Sequence, residues 1–306
     1  MIVSDPQELR QQLEAGWLQA DAAAVPRGVF MVEPADFRLS RQAATDNSYM
    51  DLSVTVDPAR AMAQHRALGE AISGLGIPVV RFPGRSETPD DVFPNNVFAT
   101  APGRFIVGSM CHPERRLEAT RTDIRAFFTR LMAYPEFDLS RENCVAELTG
   151  SLVIDRARRI GFCGMSTRVD DAGCRAMHQA FDLALTFRFD LKPDEYHTNV
   201  VMSVLASRAL VICPDAFADP AAPEAIAAAF PGRVVEIGVD EKNAFAANCI
   251  ALTADDLFIS ATGWEALRPG LRERLSRELG FRIHAMELDE IEKAGGSLRC
   301  CIGEIF

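Results

Sequence analysis

Apolar positions recur with helical spacing in "ARAMAQHRALGEAISGLG" (residues 59–76), where Met62, His65, Leu68, Ile72 and Leu75 fall on one face. A glycine ends the stretch, and the apolar "IPVVRF" follows as a strand. The succession returns four times. "ERRLEATRTDIRAFFTRLMAY" carries Leu117, Thr120, Ile124, Phe127, Phe128 and Leu131 and is followed later by "CVAEL". "DAGCRAMHQAFDLA" leads into "LTFRFDL", "APEAIAAAF" into "RVVEIGV", and "WEALRPGLRERLSRELG" into "FRIHAMEL". The five helices are predicted to start near positions 59, 114, 171, 222 and 264. Even spacing of like units, without visible self-similarity, points to a quasi-repeated architecture.

Between these units lie further strand-like pieces: "RFIVGSM", "SLVID", "RIGFCGM", "NVVMSVL", "ALVICP", "CIALT" and "DLFIS". Several succeed one another as hairpins, which a purely parallel doubly wound sheet does not contain. No Pro/Gly/Ser-rich linker divides the chain. The expected class is α/β, a single domain over residues 1–306 built of five strand-rich modules.

Composition acts mainly by exclusion. The 306 residues are 48% hydrophobic and 25% charged, with a formal net charge of −11 and no basic block, which argues against a nucleic-acid partner. No run of about 18 apolar residues occurs, so no membrane span is expected. The start, "MIVSDPQELRQQLEAGWLQA", is charged and lacks the apolar core of a signal peptide. Eight cysteines in that setting read as reduced thiols of a cytoplasmic protein. Most of the six scattered ones (Cys111, Cys144, Cys163, Cys174, Cys213 and Cys249) read as small buried hydrophobes. With no CxxC and no close histidine pair, no metal site is expected. GxGxxG, GxxxxGK and GxSxG are absent too, which removes the usual nucleotide and serine-hydrolase readings.

The polar residues that stand out come just after the units. "TPDDVFPNNVFAT" places Asp90, Asp91, Asn95 and Asn96 beside Phe93, and "AELTGS" sets Glu147 between apolar neighbours. In "DEYHTNVVMSV" His197 and Asn199 open an apolar strand, and "KNAFAANCIAL" carries Asn243 and Asn248. The chain ends in "AGGSLRCCIGEIF" with Cys300 and Cys301. One chemical group per module is what a site on the axis of a ring of modules needs. Each residue also has an ordinary use. Asp90, after Pro89, suits a turn, and a lone histidine is more often a satisfied core residue. Asn95-Asn96 fits a turn as well, although two amides among apolar neighbours need partners. Glu147 is harder to dismiss, because carboxylates are rarely buried unpaired. If the terminal segment is a strand, Cys300 and Cys301 point to opposite faces, so only one faces a shared site.

Together, "DDVFPNN" (90–96), "ELTGS" (147–151), "GMSTR" (164–168), "YHTNVVMS" (196–203) and "GGSLRC" (295–300) resemble, in order, the guanidino-group-modifying or pentein superfamily. Its members include arginine deiminases, dimethylarginine dimethylaminohydrolases, succinylarginine dihydrolases and amidinotransferases. The resemblance spans most of the chain and implies a pseudo-fivefold α/β propeller. It implies Cys300 as nucleophile, His197 as general acid/base and Glu147 as the buried carboxylate beside it. It further implies substrate contacts from Asp90, Asn96 and Asn199, Arg168 on the substrate's carboxylate, and no metal or organic cofactor. The residue types suit the chemistry. A guanidinium or ureido carbon is a poor electrophile, and a thiolate of lowered pKa is a strong nucleophile. A protonated His197 nearby would favour that thiolate and then protonate the departing amine.

Arginine deiminases generally have aspartates where this chain has Asn96 and Asn199. Asparagine keeps the shape but offers an uncharged donor and acceptor, which lowers the preference for a cation and can hold a ureido carbonyl. "VFMVEPADF", "TDNSYM", "HTNVVMS" and "GGSLRCCIGEIF" look most like a subgroup described as citrulline utilisation hydrolases. The expected reaction is hydrolysis of a C–N bond in a small ureido or guanidino amino acid, citrulline to ornithine, carbon dioxide and ammonia. Arginine dihydrolase, arginine deiminase and dimethylarginine dimethylaminohydrolase activities stay open, as does amidino transfer to an amine. A non-catalytic binding protein on the same fold is the reading from another class, and the presence of Cys300, His197 and Glu147 weighs against it. "ATDNSYMDLS" (44–53) is the expected lid, with Asn47 touching substrate. The spread of apolar helix faces is compatible with a homodimer.

Overall fold

The computed structural model describes all residues, 1–306. Its strands are β1 (Ile2–Val3), β2 (Gly28–Val32), β3 (Val79–Phe82), β4 (Phe98–Ala101), β5 (Arg104–Val107), β6 (Glu136–Asp138), β7 (Leu152–Asp155) and β8 (Ile160–Met165). They continue as β9 (Leu185–Asp190), β10 (Met202–Leu205), β11 (Ala209–Ile212), β12 (Val234–Glu236), β13 (Ile250–Ala251), β14 (Asp256–Ser260), β15 (Arg282–Met286) and β16 (Gly303–Ile305). The fold is mixed α/β, with the strands in five separate small sheets.

Four sheets share one plan. A hairpin (β4–β5, β7–β8, β10–β11 or β13–β14) is followed by a helical crossover to a third strand parallel to the second. The fifth sheet makes the same pattern from the two halves of the chain: β16 pairs antiparallel with β2, and β2 parallel with β3. β1 adds a parallel edge to β9. Each middle strand is covered on both faces, which is why "GVFMV" of β2 is apolar throughout and fully buried.

The crossover helix Pro58–Gly74 starts where Asp57 accepts hydrogen bonds from Ala59 and Arg60 N–H and where Pro58 needs no partner. It buries Ala61, His65, Leu68 and Ile72. The predicted second helix is instead broken into Pro113–Glu118, Thr122–Ala126 and a π-turn, Phe127–Leu131. Arg121 stands at the break, buried, with its guanidinium bonded to Asp91, Asp123 and the Pro83 carbonyl. The strand that follows is β6. "CVAEL" forms none, and Ala146 makes only isolated bridges to Ser109 and Val169.

Immediately before four of the first strands the chain makes one tight helical turn. These are Pro94–Asn96 before β4, Leu148–Ser151 before β7, Thr198–Val201 before β10 and Leu298–Cys301 before β16. Hydrogen-bonded turns over residues 244–247 precede β13. Two expectations are corrected here. Asn199 sits in a helical turn and not in a strand, and so do Cys300 and Cys301. No helix is long and apolar enough to cross a membrane.

Candidate active site

The turns deliver Asn96, His197 and Cys300, with Asp90 from the preceding turn Pro89–Val92, to one small cavity. Asn47, Arg115, Arg168 and Tyr196 complete much of its wall. Cys300 and His197 are each 1% exposed, and Glu147 is wholly buried behind them.

A chain of charge runs outward from the imidazole. His197 Nε2 lies 2.8 Å from Glu147 Oε2. An ionised carboxylate only accepts, so Nε2 carries a proton, and in the neutral ring Nδ1 holds the lone pair. Nδ1 is buried without any partner. Glu147 also accepts from Arg168 Nη1 at 3.1 Å and from the N–H of Cys111 at 3.1 Å. Arg168 in turn donates Nε and Nη2 to Asp46 at 2.9 and 2.6 Å. Burial alone would raise the Glu147 pKa, but the charge of Arg168 and the hydrogen bond of His197 outweigh it and hold the carboxyl well below its usual range. Burial likewise works against Asp46, yet Arg168, Thr167 and His112 bring it down to about 2. Burial lowers the His197 pKa despite Glu147. Burial thus disfavours, in the resting site, the imidazolium invoked above to stabilise the thiolate.

Arg168 is thus committed to two carboxylates of the protein, and in this structure its fork is not free for a substrate carboxylate. Asp46 belongs to the 44–53 segment, which is pinned at several other points. Ser48 donates to the Asp194 carbonyl at 3.0 Å, and Tyr49 to Glu195 at 2.7 Å. Asn47 donates to the Gly295 carbonyl at 3.2 Å, which also accepts from Tyr196. Gly295 has φ +70°, and a Cβ there would lie 2.3 Å from Asn47 Nδ2, so both the turn and the contact require glycine.

Asp90 Oδ1 and Asn96 Oδ1 are buried with no hydrogen-bond partner. Burial raises the Asp90 pKa against the charges of Arg115 and Arg168. Arg115 grips Glu118 through two bonds, of 3.0 and 2.9 Å, and donates to the carbonyls of Phe93 and Asp90 at 3.0 and 3.4 Å. It thereby fixes the turn that aims Asp90.

Asn199 was expected to contact substrate. It lies instead against the sulfur of Cys300, with Nδ2 at 3.5 Å and Oδ1 at 3.9 Å, and is not part of the cavity wall. Asn248 Nδ2 reaches the same sulfur at 3.4 Å. Cys301 turns away, its Sγ 3.5 Å from the Ser297 carbonyl. Asn243 is exposed and does not line this cavity. Arg115 and Asp46 carry no motif signal, whereas Asn248 stands two residues before β13 as Asn96 stands two before β4. Asp46, Cys111 and His112 place potential ligand atoms within 4.8 Å of one another. Both oxygens of Asp46 are already taken by Arg168, Thr167 and His112.

A family model described as "N,N dimethylarginine dimethylhydrolase, eukaryotic" matches residues 33–306. The N(G),N(G)-dimethylarginine dimethylaminohydrolase of Mycobacterium tuberculosis is 26% identical over 276 residues, 90% of this chain and 84% of that protein. Among solved structures, the substrate-bound N-terminal domain of ArgZ, an arginine dihydrolase of cyanobacteria, superposes with a TM-score of 0.78 at 20% identity, covering 90% of this chain and 97% of that one. The dimethylarginine dimethylaminohydrolase of Pseudomonas aeruginosa, complexed with citrulline, gives 0.70 at 20% identity over 92% of this chain and 99% of the other. The chain belongs to the dimethylarginine dimethylaminohydrolase family of the pentein superfamily, hydrolases of carbon–nitrogen bonds in amidino compounds.

Proposed function

We infer that this protein is a cysteine-dependent hydrolase of guanidino or ureido amino acids, and that it converts citrulline to ornithine, carbon dioxide and ammonia. The carrying observation is the set of unpartnered acceptors. Asp90 Oδ1, Asn96 Oδ1 and His197 Nδ1 are buried with nothing to bind, in the wall that also holds Cys300. Each such atom costs about 1–3 kcal/mol. A planar group rich in N–H, laid over the sulfur, satisfies the acceptors together. The uncharged amide of Asn96 favours a ureido group over a cation. With Asn199 withdrawn to the sulfur, that preference rests on Asn96 alone.

The steps follow from the groups in place. His197 Nδ1 takes the thiol proton, and Cys300 Sγ bonds to the ureido carbon. The C–NH2 bond breaks, and the imidazolium returns its proton to the leaving ammonia. Water then adds to the S-linked carbonyl carbon while Nδ1 takes its proton, the C–S bond breaks, and the thiol is restored. The released N-carbamate loses carbon dioxide to give ornithine. Glu147, bonded to Nε2, stabilises the imidazolium formed in each half. Protons and electron pairs of these groups suffice, without a metal or organic cofactor. Arg168 serves the substrate carboxylate only if that carboxylate displaces Asp46.

Arginine is the second candidate, taken through citrulline to ornithine. The carboxylate of Asp90 at the cavity favours it, and the ArgZ neighbour is named an arginine dihydrolase. A ring of five blades around this site, formed by residues 1–306 as one unit, fits the contacts between first strands: β16 with β4, β7 with β10, and β10 with β13.

The test is product analysis by mass spectrometry on wild-type protein and Cys300→Ala, given citrulline, arginine and N-methylated arginines separately. Ornithine from citrulline is expected, at a rate reduced at least roughly a thousandfold in Cys300→Ala. Citrulline accumulating from arginine or a methylarginine, with no ornithine, would sink the ureido reading.

A further inference from the structure

Two amides touch the sulfur of Cys300, and they differ in kind. Asn199 presents both its nitrogen and its oxygen, at 3.5 and 3.9 Å, so it can serve as donor or acceptor. Asn248 has no such freedom. Its Oδ1 accepts the backbone N–H of Arg299 at 3.0 Å, and its Nδ2 donates to the backbone carbonyl of Asn199 at 2.9 Å. A backbone N–H only donates and a carbonyl only accepts, so this amide cannot be turned round. One N–H of Nδ2 remains, and Cys300 Sγ lies 3.4 Å from that nitrogen. Asn248 is wholly buried, so no water competes for the bond.

We propose that Asn248 is the fixed hydrogen-bond donor that stabilises the sulfur of Cys300 as it ionises, when His197 takes the thiol proton. The proposal rests on the reading of Cys300 as nucleophile and adds the group that prepares it. The need for such a group is visible in the charges. Arg168 is paired with Asp46 and Glu147, Arg115 with Glu118, and burial disfavours the imidazolium of His197. No uncompensated cation is left to favour the thiolate, and a hydrogen bond that strengthens when the sulfur ionises does that work. The fold supplies it by repetition. Asn248 stands two residues before β13, where Cys300 stands three before β16 and Asn199 three before β10. Three modules thus meet at one sulfur atom. The bond to Arg299 N–H also ties Asn248 to the turn that carries Cys300.

The apparent pKa of Cys300 can be read without turnover, from the pH dependence of its alkylation by iodoacetamide, followed on the C-terminal peptide by mass spectrometry. Asn248→Asp replaces the N–H facing the sulfur with an acceptor. Its alkylation midpoint is expected to rise by roughly one unit or more, about a tenfold loss of thiolate near neutral pH. The value of kcat falls in step, while KM changes by less than roughly threefold. Asn248→Ala removes the donor without adding charge, shifts the midpoint the same way, and serves if the aspartate variant does not fold. A role confined to holding the 298–301 turn lowers kcat and the melting temperature but leaves the midpoint unmoved. A midpoint within about 0.3 unit of wild type in a folded variant overturns the proposal. Should Cys300→Ala retain activity, the nucleophile assignment fails separately, since alkylation still reads the effect of Asn248 on the sulfur.

Discussion

His65 lies on the inner face of helix Pro58–Gly74, wholly buried, with neither ring nitrogen bonded. Burial, helped by the charges of Arg81 and Arg66, lowers its pKa to about 3. The folded protein therefore keeps this ring neutral where an unfolded chain, with the ordinary value of about 6.5, takes up a proton. Below that value the unfolded state binds more protons, so stability is lost as pH falls from 6.5 towards 3 and no further below it. Between pH 7 and pH 5 the wild type should lose roughly 2 kcal/mol more than His65→Leu, compared by urea unfolding at both pH values. Equal losses would show that His65 finds a partner or a proton in the fold. At this scale the sequence was informative where residue type implies chemistry. Glu147 in an apolar run, His197 and Cys300 drew notice because an unpaired carboxylate, imidazole or thiol is costly or reactive in a core. His65 fell on a helical face by spacing and gave no sign of its isolation. Asp46 drew no notice, because its guanidinium partner Arg168 lies 122 residues away and leaves no local pattern.

The short turns before the first strands position the chemistry, and they are the elements that periodicity reads least well. Four residues such as Leu148–Ser151 or Thr198–Val201 complete barely one helical turn, so an apolar run there looks like the start of the strand it precedes. The crossover helices were easier, since Pro58–Gly74 and Asp171–Ala180 are long enough to show a face and begin at capping aspartates. The turn Leu148–Ser151 depends on close packing. A Cβ added at Gly150 would lie 2.5 Å from Asn96 Oδ1 and 2.8 Å from the Cε1 and Nε2 atoms of His197. Gly150→Ala must push the amide from the cavity or the imidazole from Glu147. A misplacement of this size is expected to lower kcat on the order of a hundredfold. Overpacking adds about 1–3 kcal/mol of destabilisation, visible as a modest drop in melting temperature. A variant with unchanged kcat would mean that the turn can back away and that the tight fit is incidental.

At the scale of the whole molecule, Cys300 and the closing strand are one device. Chain ends are usually tolerant of change. Here β16 completes the sheet of β2 and β3, the N–H of Phe306 bonds Thr100 Oγ1 at 2.9 Å, and Tyr134 donates to the Phe306 carbonyl. Glu304 lies between Arg156 and Arg299, 2.8 and 2.7 Å from their guanidinium nitrogens. The even spacing of five helix–strand units was legible along the chain, but the completion of one sheet by residues more than 270 positions apart was not, because pairing across that distance leaves no local pattern. Deleting residues 303–306 keeps every group of the candidate site yet removes the strand that anchors Cys300. It exposes the apolar surface held by Ile305 and Phe306 and leaves two arginines without their carboxylate. A loss on the order of 5 kcal/mol is expected from burial and the broken ion cluster together. Thermal melts of the truncated protein should show an earlier transition, and turnover should vanish even below it because the 298–301 turn is no longer held. A truncated protein that melts like wild type would place the anchor of Cys300 in Asn248 and its neighbours alone, and would make the terminal strand dispensable to the fold.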